Sequence, residues 1–265
     1  MPTIWTQKFS QPSTDQTLPL ALAMLLSSNS ETARQNQLAR LKSELPFVTS
    51  IWFGETSEKI TNFAAARNLV LNQISEPWLF WLDSDEILAD PDKSFIVLKN
   101  LLQKTDLSGL TLSREDWLHQ KPLKYGETNA IKLLRIHRPQ AGNFVNQVHE
   151  KFSLTEKAPP HSSPIKIFHH SHNSVGEFFN KISNYAQIRA KERFFQPNPP
   201  TKNRLFWELV CWPIGKFFYI FLWQQGWRDG FRGLIYATMM TLHSAFVRIF
   251  GLELLTTQPK QDHET

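Results

Sequence analysis

Strand-like and helix-like segments alternate through the first third of the chain, and this alternation constrains the fold more than any other feature. Segments 18–28, 46–54 and 78–82 are apolar or β-branched runs, as expected of buried strands. Segments 29–45 and 57–74 carry apolar residues at helical spacing behind Asn or Ser caps. Such alternation predicts parallel strands joined by right-handed crossovers, and therefore an α/β fold.

An acidic cluster directly follows the third strand-like segment: the chain reads Asp83-Ser84-Asp85-Glu86. Unpaired carboxylates this close repel one another, so a positive group is expected beside them. Ligands bind at the carboxyl ends of strands in open parallel sheets, where this cluster is predicted to lie. Asp83 and Asp85 could share Mg²⁺ or Mn²⁺, leaving open positions for the oxygens of a diphosphate. The alternative is a surface turn that caps the next helix.

Later segments predict an antiparallel extension of the sheet and then a helical region. The segment from Ser174 begins with a capping box completed by Glu177. Residues after 204 are rich in aromatics and are expected to form helices separated by Pro213 and by several glycines. The predicted organisation is a polar leader at 1–17, a catalytic domain at 18–195, a helical region at 204–255 and a tail at 256–265.

Charge and aromatic content favour an anionic partner for the later part of the chain. Residues 176–250 hold ten Lys and Arg against four Asp and Glu, and the whole chain carries 20 Phe and 9 Trp. Such a region suits nucleic acid or a membrane surface. The longest charge-free stretches there, 217–227 and 233–247, are shorter than the ~20 residues of a membrane span. Peripheral contact with a membrane is therefore expected; the alternative is that these aromatic side chains pack on the catalytic domain.

The amino-terminal sequence and the single cysteine bear on the cellular compartment in which the protein is expected. The first residues lack the basic-then-apolar pattern of a signal peptide. Cys211 is the only cysteine, which excludes an intrachain disulfide and a four-cysteine zinc site. We expect a cytoplasmic protein, placed peripherally on the inner face of the cytoplasmic membrane.

Four segments, in this order, carry a resemblance to a known family: AAARNLVLNQISEPWLFWLDSDEIL, LLRIHRPQAGNFVNQVHEKF, IKIFHHSHNSVGEFFNKISNYAQIRA and LWQQGWRDGFRGLIYA. They cover about Ser57 to Leu252. Together they resemble family 2 glycosyltransferases, and more narrowly the lipopolysaccharide-core glucosyltransferase group. The resemblance implies a GT-A-like three-layer sandwich with a mostly parallel sheet. It also implies inverting transfer of a sugar from a nucleotide-sugar donor to a glycan or glycolipid acceptor.

The resemblance also implies roles for individual residues. Asp83 and Asp85 match the D-x-D positions that bind metal and diphosphate, and Glu86 matches a trailing structural Glu. Arg67 and Asn68 match the pair of helix residues that faces the donor. An arginine there can hold phosphate or the base.

Further matches supply a candidate base and a third metal ligand. Glu150 is the first choice for the base that accepts the acceptor hydroxyl's proton, and His149 is the second. His169 matches a histidine that completes the metal shell or touches the diphosphate, and His170 and His172 are further possibilities.

The amino-terminal segment departs from the family pattern. The loop that meets the nucleotide retains only Asn29 and Glu31 as donor-binding candidates, and WFGETSEK replaces the usual acidic segment after the second strand. A catalytically inactive relative that serves as a binding or scaffold protein is therefore the main alternative. A nucleic-acid-binding protein is a third possibility, but it leaves the acidic cluster unexplained, so no nucleic-acid partner is expected.

Overall fold

The structure is a computed structural model, and it describes most of the chain. The described residues are 3–26, 30–55, 62–128, 131–146, 150–155, 160–172, 174–195 and 199–257, with the backbone only for 171 and 172. They form two compact units, 1–114 with 130–169 and 115–129 with 170–265. The division differs from the predicted domain boundary, because the helix that starts after Ser174 belongs to the second unit.

The described residues form eleven strands and six α-helices. The strands are β1 Ile4–Ser10, β2 Leu18–Leu25, β3 Val48–Glu55, β4 Trp78–Trp81, β5 Glu86–Leu88, β6 Gly109–Leu118, β7 Lys121–Pro122, β8 Ile131–His137, β9 Gly142–Val145, β10 Lys151–Leu154 and β11 His161–His172. The helices are α1 Glu31–Glu44, α2 Phe63–Leu71, α3 Pro91–Leu101, α4 Val175–Phe194, α5 Lys202–Phe218 and α6 Phe231–Thr257.

The main sheet of the first unit is mixed. Its strand order is β1-β3-β2-β4-β8-β6-β11-β5. β2 pairs in parallel with both β3 and β4, as the alternation of strands and helices predicted. The pairs β1–β3, β4–β8, β6–β8 and β5–β11 are antiparallel. The predicted α/β fold and its antiparallel extension are confirmed, but a mostly parallel sheet is wrong, because the later strands return as hairpins and long connections.

Helices cover both faces of this sheet in the first unit. Alternate residues of β2 point to opposite sides, as the period of a strand requires. Leu22 packs with Leu41 of α1 and Leu98 of α3 in one buried cluster. Ala23 packs with Val70 of α2 in the other. The central strands are thus buried on both faces, which explains their near-continuous apolar sequences.

Three local expectations are corrected by the structure. The predicted polar leader contains β1, an edge strand antiparallel to β3; its polar side chains suit an edge and concealed it. Helix α2 is capped by Asn62, whose side chain accepts from the Ala65 N–H, while the predicted cap Ser57 lies outside the described residues. Pro213 lies buried inside α5 and does not end it. Packing of α5 against α6 outweighs the backbone hydrogen bond that the proline removes.

The second unit is built on three helices, with α6 packed against both α4 and α5. Its core contains Phe178 and Ile182 of α4 together with Met239 of α6. A π-helical turn, Tyr219–Trp223, continues α5. By length and composition, the continuous helix 202–223 and helix α6 could each cross a membrane or serve as a core helix of a soluble protein. The continuous helix 202–223 is therefore longer than the charge-free stretch 217–227 from which the sequence analysis judged this region.

Candidate active site

The acidic cluster lies in the first unit, in a tight turn between β4 and β5. The Glu86 N–H donates to the Asp83 carbonyl at 3.0 Å, and the Asp83 N–H donates to Glu86 Oε2 at 3.1 Å. Helix α1 supports the turn from one side: Gln37 donates to the Ser84 carbonyl and Arg40 to the Glu86 carbonyl, each at 3.1 Å. Asp83 thus follows the carboxyl end of a strand that pairs in parallel, where the sequence predicted it.

Arg135 of β8 supplies positive charge to this turn. Antiparallel pairing of Leu79 with His137 and of Phe80 with Ile136 carries Arg135 to the end of β4. Its Nη2 lies 2.8 Å from Asp83 Oδ2 and also contacts Glu86 Oε1. The Glu86 side chain is only 1% exposed and that of Arg135 only 9%. Arg135 therefore neutralises a carboxylate that could not otherwise remain buried.

Arg67 of α2 contacts the other carboxylate oxygen of Asp83 and so belongs to the same cluster. Its Nη2 lies 3.1 Å from Asp83 Oδ1 and 3.2 Å from Glu150 Oε1. The guanidinium also lies 4.9 Å from the ring of Trp81 and 5.5 Å from the ring of Phe144, within cation–π range. Arg67 thereby brings Glu150, which precedes β10, into one network with Asp83.

Asp85 and His169 form a second contact at this turn. Strand β11 pairs antiparallel with β5, and this register sets His169 opposite Glu86. His169 Nε2 lies 3.3 Å from Asp85 Oδ2. The structure therefore brings together five of the predicted site residues, which come from separate parts of the chain: Arg67, Asp83, Asp85, Glu150 and His169.

The two buried arginines shape the ionisation of the acids. Burial alone would raise the pKa of Asp83, but Arg135 and Arg67 hold it well below its usual range. Burial would also raise the pKa of Asp85, and the hydrogen bond and charge of His169 lower it. Burial raises the pKa of Glu86; Arg135 opposes this and the Asp83 charge adds to it.

The cluster retains an excess of negative charge. It contains four carboxyl groups, those of Asp83, Asp85, Glu86 and Glu150, against two guanidinium groups, those of Arg67 and Arg135, and the imidazole of His169. A diphosphate entering this site would meet carboxylates that repel it unless a cation came with it. The charge balance therefore suits a divalent ion bound together with a phosphate ligand.

The carboxylates of this turn fit a metal ion that arrives bound to a nucleotide better than a metal ion that the protein holds permanently. Within the described ranges, no group of three or more His, Cys, Asp or Glu side chains is arranged to hold a metal. Mg²⁺ commonly takes one or two carboxylates together with substrate phosphates and waters. Asp85 and Asp83, both partly exposed, could supply those carboxylates. His169 contacts Asp85, so the predicted three-residue metal set is not assembled in this structure.

Other predicted site residues lie elsewhere. Asn68 binds the backbone of Phe144: its side chain donates to the carbonyl at 2.9 Å and accepts from the N–H at 2.7 Å. Glu31 lies in the first turn of α1, and its contacts in the described structure are with Arg34 and Gln35 of the same helix. The prediction that Asn68 and Glu31 belong with the donor-binding acids is therefore not supported by their contacts.

The structure does not describe all of the predicted site residues. Asn29 and His149 lie outside the described residues, as does the side chain of His172. His170, in the second unit, packs its ring 5.1 Å from that of Trp117.

Sequence reasoning missed two residues of the first unit. Arg135 lies in the segment LLRIHRPQAGNFVNQVHEKF, but its partners depend on the β4–β8 register, which sequence spacing does not reveal. His137, two residues on, accepts a hydrogen bond from Trp81 Nε1 at its own Nε2, at 2.9 Å, and stacks on Phe152 at 3.5 Å between ring centroids. Burial lowers the pKa of His137 to about 4, which keeps the ring neutral and able to accept this bond.

Comparisons with known proteins show distant resemblances only. No protein-family model and no curated protein matches this chain. Residues 1–349 of S. aureus TarS align at 11% identity over 91% of this chain and 93% of that one, with a TM-score of 0.32. The complex of TarS 1–349 with UDP-GlcNAc aligns at 9% identity over the same shares, also with a TM-score of 0.32. Bifunctional IspDF from Campylobacter jejuni aligns at 16% identity over 46% of this chain and 41% of that one, with a TM-score of 0.30. Alignments at this level establish neither a family nor an activity.

Proposed function

We propose that this chain is an inverting glycosyltransferase that moves a sugar from a nucleotide-sugar donor to a lipid-linked or cell-envelope glycan. The observation that supports it most is the network in which Arg67 joins Asp83 to Glu150 at the end of β4. This network combines a turn suited to a metal–diphosphate complex with a carboxylate that could accept a proton. The family 2 type and the lipopolysaccharide-core group belong to this proposal and are supported by the sequence motifs.

In this proposal, Asp83 and Asp85 hold Mg²⁺ or Mn²⁺ that arrives with the donor's diphosphate. The ion would stabilise the charge of the departing nucleoside diphosphate. Arg67, whose Nη2 already contacts a carboxylate oxygen, would orient the same acids or a phosphate oxygen. His169 would keep Asp85 ionised and in place.

Glu150 is the proposed base for the acceptor hydroxyl, with His149 as the second choice. Glu150 is held by Arg67 in the same network as Asp83. The Glu150→Gln variant should bind donor as the parent protein does and lose most transfer activity, because the amide cannot accept a proton. Glu253→Gln, on α6, is the control that removes a remote carboxylate. Unchanged turnover by the Glu150 variant would remove it from this role. Inversion is tested by NMR of the product's anomeric proton.

A second candidate function is donor or glycan binding without transfer. Both carboxylate oxygens of Asp83 contact guanidinium groups, as in a structural ion-pair cluster. The amino-terminal loop, which retains only Asn29 and Glu31 of the family pattern, favours the same alternative. It predicts ligand binding that persists in Glu150→Gln with no turnover by the parent protein on any acceptor.

Turnover by the parent protein separates an enzyme from a binding protein, and calorimetry tests whether a nucleotide-sugar donor binds at all. UDP-, GDP- and dTDP-sugars, including UDP-GlcNAc, are titrated into the parent protein with Mn²⁺ and with EDTA. The proposal predicts metal-dependent binding of one donor, lost in Asp85→Ala and kept in Asp92→Ala, an exposed acid at the start of α3. Binding of no donor would contradict the enzyme proposal. Salt-sensitive binding of an oligonucleotide would support the nucleic-acid alternative instead.

Helix α5 supports a membrane-associated acceptor. Its exposed side chains are largely aromatic or aliphatic and include Trp207, 66% exposed, while Trp223 in the following π-helical turn is 80% exposed. Trp favours the headgroup level of a bilayer. We therefore place the protein peripherally on the cytoplasmic membrane face.

Vesicle binding tests this placement. Trp207→Ala and Trp223→Ala should each weaken binding by roughly tenfold, or about 1–2 kcal/mol, without loss of folding. Equal binding by the parent protein and the double variant would contradict it.

A further inference from the structure

The hairpin of β9 and β10 in the first unit carries Glu150, the proposed base. Among the described strands, these two form a sheet of their own, separate from the main one, with Val145 opposite Lys151. Glu150 comes one residue before this pair. The position of Glu150 relative to Asp83 therefore depends on how the hairpin is held against the main sheet.

Asn68 of α2 holds the first strand of this hairpin by its backbone. The side-chain amide donates to the Phe144 carbonyl at 2.9 Å, and the side-chain oxygen accepts from the Phe144 N–H at 2.7 Å. An asparagine can make both bonds because its side chain carries a donor and an acceptor. The two bonds reproduce the exchange between paired residues of neighbouring strands, so they fix where β9 lies along α2.

Aromatic contacts transmit this constraint to the strand that follows Glu150. Phe144 is opposite Phe152 in the hairpin, and their rings are 5.1 Å apart. The Phe144 ring also lies edge-on to Trp81 of β4 at 5.1 Å, and Phe152 stacks on His137 of β8 at 3.5 Å. Both strands of the hairpin thus rest on the main sheet, and the hydrogen bonds from α2 set their position along it.

Consecutive residues of α2 therefore hold the two strands of the hairpin. Asn68 binds β9, while Arg67 Nη2 lies 3.2 Å from Glu150 Oε1 and 3.1 Å from Asp83 Oδ1. The Arg67 side chain is only 9% exposed and that of Glu150 only 18%. Arg67 can reach both carboxylates only while the hairpin keeps this position relative to α2.

We propose that Asn68 is a positioning residue for Glu150, because it fixes the hairpin so that this carboxylate stays beside Asp83. The inference rests on the proposed role of Glu150 as the base. A base must lie within hydrogen-bond reach of the hydroxyl that it deprotonates, and a misplacement of about 1 Å can lower the rate about 100-fold. Removing Asn68 should therefore slow transfer and leave donor binding in place.

Transfer kinetics at saturating donor and acceptor test this role. Asn68→Ala should lower kcat about 10- to 100-fold, while calorimetry gives a donor Kd within about threefold of the parent value. Asn68→Ser, whose shorter side chain cannot span both backbone bonds, is the second variant and should show the same split. Ile51→Val, in the buried cluster on the other face of the sheet, should lose stability without this loss of kcat.

The double variant Asn68→Ala/Glu150→Gln separates positioning from a general loss of structure. If Asn68 acts through Glu150, adding Asn68→Ala to Glu150→Gln should lower the residual transfer by less than about twofold. Equal fractional losses in the two backgrounds would overturn the proposal. An equal loss of kcat in Ile51→Val would overturn it as well.

Failure of this inference is distinguishable from failure of the proposed function. No turnover by the parent protein on any acceptor, or unchanged turnover by Glu150→Gln, overturns the role of Glu150 and the inference with it. Turnover lost in Glu150→Gln but unchanged in both Asn68 variants overturns the role of Asn68 alone. Circular dichroism of each variant confirms that it is folded at the assay temperature.

Discussion

Arg135 Nη2 lies 2.8 Å from Asp83 Oδ2, so the positive charge missing from the acidic motif is supplied within the chain. The sequence alone suggested a metal ion for this role. The structure shows that Arg135 and Arg67 compensate part of the charge and leave an excess of carboxylates. This division of roles leads to separate predictions for stability and for ligand binding.

Arg135→Met should destabilise the fold strongly. It leaves Glu86 buried without its cationic partner, and breaking such a pair costs about 3–5 kcal/mol. Urea denaturation measures the free energy of unfolding. Lys93→Gln breaks the exposed Lys93–Asp90 pair and should leave the free energy of unfolding nearly unchanged. Similar losses in the two variants would show that Arg135 is not needed to stabilise Glu86.

His137 should make stability depend on pH. Its folded pKa, about 4, lies below the ordinary value of 6.5, so the unfolded chain takes up a proton first as the pH falls. Its contribution is complete above about pH 6.5 and is lost progressively as the pH drops toward 4, by up to roughly 3 kcal/mol. His137→Gln should remove this part of the pH dependence between about pH 7 and pH 5. The same slope in both proteins would contradict a buried neutral His137.

Asn68 should matter for stability more than for the donor. Asn68→Ala leaves the N–H and carbonyl of Phe144 without their partner, at a cost of about 1–3 kcal/mol. Denaturation measures this loss, and calorimetry on the folded variant should give a donor Kd within about threefold of the parent value. A large loss of affinity with unchanged stability would restore the role predicted from the sequence.

Two glycines of the helical unit offer a matched pair of substitutions. Gly233→Ala would force a Cβ against the Gly226 backbone and should destabilise by about 1–3 kcal/mol or more. Gly215→Ala, inside α5, meets nothing within 4 Å and should stabilise by roughly 0.5–1 kcal/mol. Thermal unfolding compares them. Equal effects would show that the turn before α6 is not packed as described.

The sequence predicted local features well and long-range pairings poorly. The alternation of apolar segments was enough to place β2, β3 and β4, because buried parallel strands are apolar throughout. The Ser174 cap was found because its partner lies three residues away. Arg135 was missed because its role depends on an antiparallel register set by distant strands. β1 was missed because an edge strand needs few apolar residues.

Manganese binding followed by electron paramagnetic resonance tests the central claim most directly. Free Mn²⁺ is measured with protein alone, with protein and the donor nucleotide identified by calorimetry, and with Asp85→Ala. We predict weak binding by the protein alone, at least tenfold tighter binding with the nucleotide, and loss of that gain in the variant. Binding that is equal with and without nucleotide, or unchanged in Asp85→Ala, would contradict the proposed role of the acidic turn.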